Sequence, residues 1–156
     1  MANLEAMRHA IALSEASVQT NGGEPFGAVI VQNDVIIATG CNQVTSTNDP
    51  TAHAEIVAIR AACARLGCFH LHGCDIYTSC EPCPMCLGAI YWARLARIYY
   101  ANTRQEAARI GFDDEFLYRE MPLALEARAV PIIRLLADEA RPAFDAWQQK
   151  ADKVRY

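Results

Sequence analysis

The chain has 156 residues, of which 53% are hydrophobic and 21% charged, and its formal net charge at pH 7 is −4. This length predicts one domain with a core of its own and excludes two domains of ordinary size. No apolar stretch approaches the roughly 18 residues of a membrane span, and the acidic balance argues against a dedicated nucleic-acid binder. Because residues 1–16 lack the features of a signal peptide, we expect a cytoplasmic protein.

The first half of the chain alternates between helical and strand patterns. Apolar residues at helical spacing predict a first helix over residues 3–20, which a pair of glycines ends. Two β-branched runs, residues 26–31 and 35–39, are joined by a short polar turn and predict a hairpin. A polar loop over residues 40–50 then leads into an alanine-rich helix over residues 51–66.

The second half continues the alternation of strands and helices. The predicted elements are strands over residues 75–79, 97–101 and 130–135, a helix over 82–93, a short helix with a long ordered loop over 103–122, and an amphipathic helix over 138–153. The proline in the last strand suggests an edge or strand-start position. Strands that alternate with helices after an opening hairpin predict an α/β three-layer sandwich around a mixed sheet.

The cysteines point to a metal site. Seven cysteines are a high and odd count for a chain without an export signal, which indicates metal binding or catalysis rather than disulfides. Cys83 and Cys86 share one face of a predicted first helical turn, where the helix dipole favours thiolates. His53, at the start of another predicted helix, adds a nitrogen donor. Three ligands leave one position open for water, which is typical of a catalytic zinc rather than a structural one.

Glu55 lies two residues after His53 and can flank the same pocket from the first helical turn. A carboxylate beside a zinc-activated water can accept its proton and pass it to a leaving group. Cys80 competes as a ligand, but it precedes the helical turn, so we predict that it does not bind the metal. His70 and His72 lie in an irregular segment, where we expect them to face solvent or to belong to a turn rather than to bind the metal. A His-x-Glu motif alone would carry no functional meaning, and a Cys-x-x-Cys motif alone would also fit structural zinc, redox chemistry or chance.

His53-Ala54-Glu55 and Pro82-Cys83-Pro84-Met85-Cys86 match the signature of the zinc-dependent nucleobase deaminases. The chain resembles that superfamily over nearly its whole length. The resemblance implies an α/β/α sandwich with a five-stranded mixed sheet, as in cytidine deaminase-like folds. It also implies one Zn²⁺ per chain, held by the histidine and both cysteines of the signature, with water or hydroxide as the fourth ligand. Glu55 would shuttle protons, and Cys80 would stay outside the coordination sphere.

More local strings resemble the small bacterial guanine deaminases. They are residues 23–31, 47–55 and 77–94, the string Gly111-Phe112-Asp113-Asp114 and the terminal Tyr156. This resemblance implies zinc-dependent hydrolysis of guanine to xanthine and ammonia, in purine catabolism or salvage. A tRNA adenosine deaminase and, less favoured, a cytosine deaminase remain alternatives because the central string resembles theirs too. A non-enzymatic zinc module would instead bind its metal with four protein ligands.

The resemblance to guanine deaminases also implies four substrate contacts. Asn42 and Asp114 would hydrogen-bond the purine, Phe26 would pack on its ring, and Tyr156 would close the pocket. Guanine presents N–H donors that a carboxylate accepts, whereas an amide both donates and accepts. Asn42 could equally stabilise its own loop, and Phe26 could belong to the core.

The C-terminal segment, residues 138–156, carries an apolar stripe that needs a partner surface. Phe144 and Trp147 lie on this stripe. In the guanine deaminases that the chain resembles, this helix crosses to the other subunit of a domain-swapped homodimer, so Tyr156 would cover the partner's pocket. The alternative is a helix packed on its own subunit. The segment has four acidic and four basic residues and therefore no net positive charge, which argues against a nucleic-acid partner. The resemblance implies a small purine base as partner, and we expect no membrane partner.

Overall fold

The computed structural model describes residues 2–20 and 22–155 and divides into two compact units, Met1–Glu115 and Phe116–Tyr156. The elements up to residue 109 are α1 (Leu4–Gln19), β1 (Gly27–Gln32), β2 (Val35–Cys41), α2 (Val44–Thr47), α3 (Ala54–Leu66), β3 (Cys74–Cys80), α4 (Pro84–Trp92), β4 (Arg97–Asn102) and α5 (Arg104–Arg109). They are followed by α6 (Glu115–Glu120), a 3₁₀ turn (Leu125–Ala127) and α7 (Ala137–Gln149).

A mixed sheet in the order β2-β1-β3-β4 forms the centre of the first unit. β1 runs antiparallel to both β2 and β3, whereas β3 and β4 are parallel. Asn33 and Asp34 turn the opening hairpin with φ values of 50° and 62°. Two successive left-handed residues are typical of a type I′ turn, whose twist matches that of the strands it joins. The predicted hairpin is therefore present, with the turn where the polar residues placed it.

Helices cover both faces of this sheet. Along β1, Ala28 and Ile30 join the core that contains residues of α3 and α4, whereas Val29 and Val31 join the core against α1. Successive side chains of a strand point to opposite faces, so the two cores lie on opposite sides of the sheet. The predicted α/β fold with a mixed sheet is confirmed, and its helices and strands form three layers.

Glycine on a strand allows α3 to approach the sheet closely where the helix begins. A Cβ at Gly40 would lie 2.3 Å from the carbonyl oxygen of Ala54 and 2.6 Å from the amide nitrogen of Ala58. Only a residue without a side chain fits between strand and helix at this distance. Gly40 therefore fixes the position of the first turn of α3, which carries two of the predicted site residues.

The prediction of a fifth strand is wrong for this chain. The sheet has four strands in the part of the chain that the structure describes, and residues 131–136 have no regular secondary structure. The run is β-branched and apolar, as a strand requires, but a strand forms only where another strand supplies hydrogen bonds. Val130, Ile133 and Leu135 are all exposed. The run therefore has the composition of a strand, but in the described part of the chain no other strand pairs with it.

The second unit differs from its predictions in two further respects. The final helix ends at Gln149, and Lys150 has extended backbone angles, so residues 150–153 do not continue the helix predicted over 138–153. The predicted long loop contains α6. Among residues 116–155 none is buried, and Phe144 and Trp147 of α7 are exposed. No described helix is both long and apolar enough to cross a bilayer, and the cytoplasmic location stays a prediction.

Candidate active site

Two predicted metal ligands occupy equivalent positions at the starts of α3 and α4. His53 is the N-cap residue of α3 and Cys83 that of α4, both with extended backbone angles. Neither side chain makes the hydrogen bond to its helix that an N-cap residue commonly makes. Pro84 starts α4 with the fixed φ that suits a first helical position. The His53 side chain is therefore directed away from its own helix, whereas the Cys83 sulfur interacts with the side chain of Cys86 in α4.

The structure brings His53, Cys83 and Cys86 together. The Nδ1 atom of His53 lies 3.6 Å from Sγ of Cys83 and 3.5 Å from Sγ of Cys86, and all three donor atoms lie within 4.8 Å of one another. A tetrahedral zinc with ordinary bond lengths separates nitrogen and sulfur ligands by about 3.6 Å. The donor set and its spacing therefore fit a zinc ion with three protein ligands.

The protonation of the two cysteines also fits a cation between them. A hydrogen bond from Cys86 lowers the pKa of Cys83 to about 4, so this sulfur is a thiolate at neutral pH. The same interaction and burial raise the pKa of Cys86, which keeps its proton. A bound Zn²⁺ displaces the remaining proton, because a coordinating thiol is deprotonated.

Glu55 lies in the first turn of α3 and is 8% exposed. Burial is the largest cause that raises the pKa of its carboxyl, and the nearby Cys83 thiolate raises it further. A carboxyl whose pKa moves towards neutral is suited to accept and return a proton. Its catalytic role stays a prediction.

Cys80 and two histidines lie outside the cluster of donor atoms. The buried Cys80 thiol donates to the carbonyl oxygen of Thr103 over 3.8 Å, and burial raises its pKa to about 11. It is therefore a neutral thiol at physiological pH. His70 and His72 contact each other, with ring centroids 4.6 Å apart. These positions agree with the ligand set expected from the sequence.

Asn42 and Phe26 are linked through the backbone. The amide nitrogen of Asn42 donates to the carbonyl oxygen of Phe26 at 3.1 Å, and the buried Asn42 side-chain oxygen accepts from the amide of Val44 at 2.9 Å. This oxygen therefore stabilises its own loop, as one of the alternatives expected. The side-chain NH₂ of Asn42 makes none of the hydrogen bonds found among the described residues, so it can donate to a ligand.

Asp114 follows a turn in which Gly111 has a φ of 96°, in the left-handed region that favours glycine. Burial, and after it the Cys83 thiolate, raise the pKa of the Asp114 carboxyl. Asp114 is thus close enough to the metal-binding cluster to sense its charge. Tyr156, the fourth predicted substrate contact, lies outside the described residues.

Sequence reasoning missed two side chains near these residues. Phe112 packs edge-to-face on Phe26, with ring centroids 4.9 Å apart and an interplanar angle of 86°. Glu24 has a buried carboxylate oxygen without a hydrogen-bond partner, and its charge helps to raise the pKa of His53. The sequence carries no local signal for Glu24, because residues 22–25 form bends rather than a strand on which spacing would assign a face.

Residues 2–102 match the family described as the cytidine and deoxycytidylate deaminase zinc-binding region. Together with the fold and the cluster of donor atoms, this match defines the class: the chain belongs to this family of zinc-binding deaminases. The predicted superfamily and the predicted zinc cofactor are confirmed.

Within the family, the similarity extends over nearly the whole chain for proteins named as guanine deaminases. The chain is 49% identical to guanine deaminase of Bacillus subtilis (strain 168) over 150 residues. This stretch covers 96% of each protein. The X-ray structure of guanine deaminase from Bacillus subtilis matches 100% of this chain and 99% of that chain with a TM-score of 0.96. By contrast, tRNA-specific adenosine deaminase of Aquifex aeolicus is 42% identical over 92 residues, which are 58% of this chain and 61% of that protein.

Proposed function

We propose that this protein is a guanine deaminase, which converts guanine and water to xanthine and ammonia. The observation that carries the proposal is the match to a guanine deaminase structure over the whole chain, with a TM-score of 0.96. The match to the tRNA adenosine deaminase of Aquifex aeolicus, in contrast, covers 58% of this chain. The similarity to the guanine enzyme thus extends over a part of this chain that the match to the adenosine enzyme does not cover.

In this proposal, His53, Cys83 and Cys86 hold the zinc ion. When bound, zinc supplies the Lewis acidity that makes a water molecule nucleophilic near neutral pH. Glu55 accepts a proton from the attacking water and delivers it to a ring nitrogen of the base. It then carries the second proton to the departing amine, so ammonia leaves and C2 becomes a carbonyl carbon. The burial that raises the pKa of Glu55 supports this role, since the group must both take and give protons.

Asn42, Phe26 and Asp114 orient the purine. The Asn42 NH₂ donates to an acceptor of the base, and Asp114 accepts from one of its N–H groups. Phe26 lies against the purine ring, and its edge-to-face contact with Phe112 holds it in place. A pocket built in this way around the base leaves little space for a ribose. The free base is therefore the expected substrate.

The second unit acts across a homodimer in this proposal. Residues 138–156 cross to the partner subunit, and Tyr156 closes the partner's pocket. Support comes from the described part of the unit, in which no residue is buried although Phe144 and Trp147 form an apolar stripe on α7. The alternative is that the helix packs on its own subunit.

The decisive experiment measures ammonia release by the zinc-loaded protein from guanine, adenine, cytosine, cytidine, guanosine and tRNA. We expect turnover of guanine, with the other compounds at least tenfold slower, a difference of about 1.4 kcal/mol in transition-state binding. Faster release from tRNA than from guanine would replace the proposal by RNA editing. Faster release from cytosine would make the protein a cytosine deaminase.

A further inference from the structure

Two candidate site residues lie at the two ends of one short segment, residues 42–53. Asn42 begins the segment and His53 ends it. The amide of Gln43 donates to the carbonyl oxygen of Ala52 at 2.9 Å, so the segment is closed into a loop beside the site. The His53 side chain makes no hydrogen bond to its own helix. The backbone that enters α3 therefore has to place its imidazole.

Asp49 fixes the turn that leads to His53. Its Oδ1 atom accepts hydrogen bonds from the amide of Thr51 at 2.8 Å and from the Thr51 hydroxyl at 2.7 Å. Its carbonyl oxygen accepts from the amide of Ala52 at 3.0 Å. The carbonyl oxygen of Thr51 in turn accepts from the amide of His53 at 2.8 Å. Consecutive hydrogen bonds thus connect the Asp49 carboxylate to the backbone of the candidate metal ligand.

The same carboxylate also faces α3. Its Oδ2 atom lies 3.6 Å from Nη1 of Arg60, an exposed residue of that helix. The hydrogen bond from the Thr51 hydroxyl is the largest cause that lowers the pKa of Asp49, so the carboxylate is charged at neutral pH. Hydrogen bonds to a charged acceptor are stronger than those between neutral groups, whereas an exposed ion pair contributes little. The bonds to Thr51 are therefore the ones that hold the turn.

We propose that Asp49 is a positioning residue for the metal site, whose carboxylate holds the turn that places the His53 imidazole opposite the two cysteine sulfurs. Asp49 is not part of the cluster of donor atoms, so it acts through the backbone of His53. Zinc binds tightly where its ligands are already near tetrahedral positions, and the residues behind the ligands supply that order. The inference concerns the metal site and does not depend on which base is the substrate.

The test measures the zinc affinity of the zinc-loaded protein by competition with a chelator, together with its melting temperature. Asp49→Ala should lower the zinc affinity about tenfold or more. Glu106→Ala is the matched control, because Oε2 of Glu106 accepts from the amide and the hydroxyl of Thr103 at 2.8 and 2.9 Å. This control removes the capping box of α5, so it should lower the melting temperature but leave the zinc affinity unchanged.

Asp49→Asn separates the hydrogen bonds from the charge. The asparagine oxygen accepts the same two bonds from Thr51 but carries no charge to pair with Arg60. Asp49→Asn should therefore retain most of the zinc affinity, and Arg60→Gln should retain all of it. Thr51→Val, which removes only the hydroxyl bond, should lower the affinity by a smaller factor than Asp49→Ala.

Wild-type zinc affinity in Asp49→Ala would overturn the proposal. An Asp49→Asn variant as weak as Asp49→Ala would also overturn it, as would an equal loss of affinity in Glu106→Ala. If Asp49→Ala does not fold, unchanged affinity in Thr51→Val has the same consequence. A zinc-loaded wild type that releases no ammonia from guanine would count against the proposed function alone.

Discussion

Apolar residues on the helices of the first unit are covered by the sheet, whereas those on the final helix of the second unit are exposed. In Met1–Glu115, helices pack on both faces of the sheet and bury two cores. Among residues 116–155, α7 has a more pronounced apolar stripe than α1, α3 or α4, yet none of its residues is buried. A periodic apolar face indicates that a helix packs against another surface. It does not indicate whether the same chain or a second chain supplies that surface.

The two units also have different roles in the proposed reaction. The first unit contains the metal-binding cluster, the candidate proton carrier and most candidate substrate contacts. The second unit contains the segment expected to close a pocket. Changes in the first unit should therefore abolish metal binding or catalysis, whereas changes in the second should act on closure and assembly while the metal site stays intact.

Removal of a metal ligand should have the largest effect. Cys83→Ala or Cys86→Ala should abolish ammonia release, because two remaining ligands bind zinc weakly and the catalytic ion is lost. Metal analysis of the purified variants checks this. Cys80→Ala is the matched control from the same stretch of sequence, and it should retain one zinc per chain. A zinc-free Cys80 variant beside zinc-loaded Cys83 or Cys86 variants would show that the ligand set is wrong.

Glu55→Gln should have the next largest effect. The amide has nearly the shape of the carboxyl but cannot accept the proton of the attacking water, so kcat should fall by about 10²–10⁴-fold. Zinc content and melting temperature should stay near those of the wild type. Steady-state kinetics alongside metal analysis make the measurement, with Glu15→Gln as the exposed control. A variant that keeps zinc and a large part of its rate excludes Glu55 as the proton carrier.

Deletion of residues 154–156 tests the second unit. We expect a fall in kcat/KM of roughly tenfold or more with unchanged zinc content, because an open pocket no longer excludes water. Mixing this deletion variant with Glu55→Gln should restore activity once the subunits exchange. Each mixed dimer then contains one pocket with an intact Glu55 and an intact tail from its partner.

The same mixture separates the two arrangements of the tail. If each helix packs on its own subunit, verified exchange produces no recovery, since the intact Glu55 and the intact tail belong to different chains. A deletion variant as active as the wild type would remove the closing role altogether. In either case the zinc-binding cluster of the first unit is unaffected.

The preference for a free base is expected to be the smallest of these effects. Guanosine should be processed with a kcat/KM about tenfold or more below that of guanine, because the ribose on N9 collides with the closed pocket. In the deletion variant, the two values should move closer together. Competition assays with both substrates make the measurement. Equal rates for base and nucleoside in the intact protein would contradict an enclosed site.

The sequence by itself determined the local elements of the first unit and singled out the three residues whose donor atoms the fold brings together. Helical spacing, β-branched runs and turn residues act over a few neighbours, so the hairpin and the helices that begin after His53 and Cys83 were predictable. Residue chemistry also singled out the histidine and two cysteines, because few side chains bind zinc.

Only the tertiary structure decided which groups meet. The positions of Cys80 outside the cluster, of Phe112 on Phe26 and of the unpaired Glu24 oxygen depend on contacts between distant segments. The run at 130–135 has the composition of a strand, yet without a neighbouring strand it remains irregular and exposed. The composition of a segment determines which partners it can pair with or bind. Its hydrogen bonds and its burial, however, require a second surface, and only the fold determines where that surface lies.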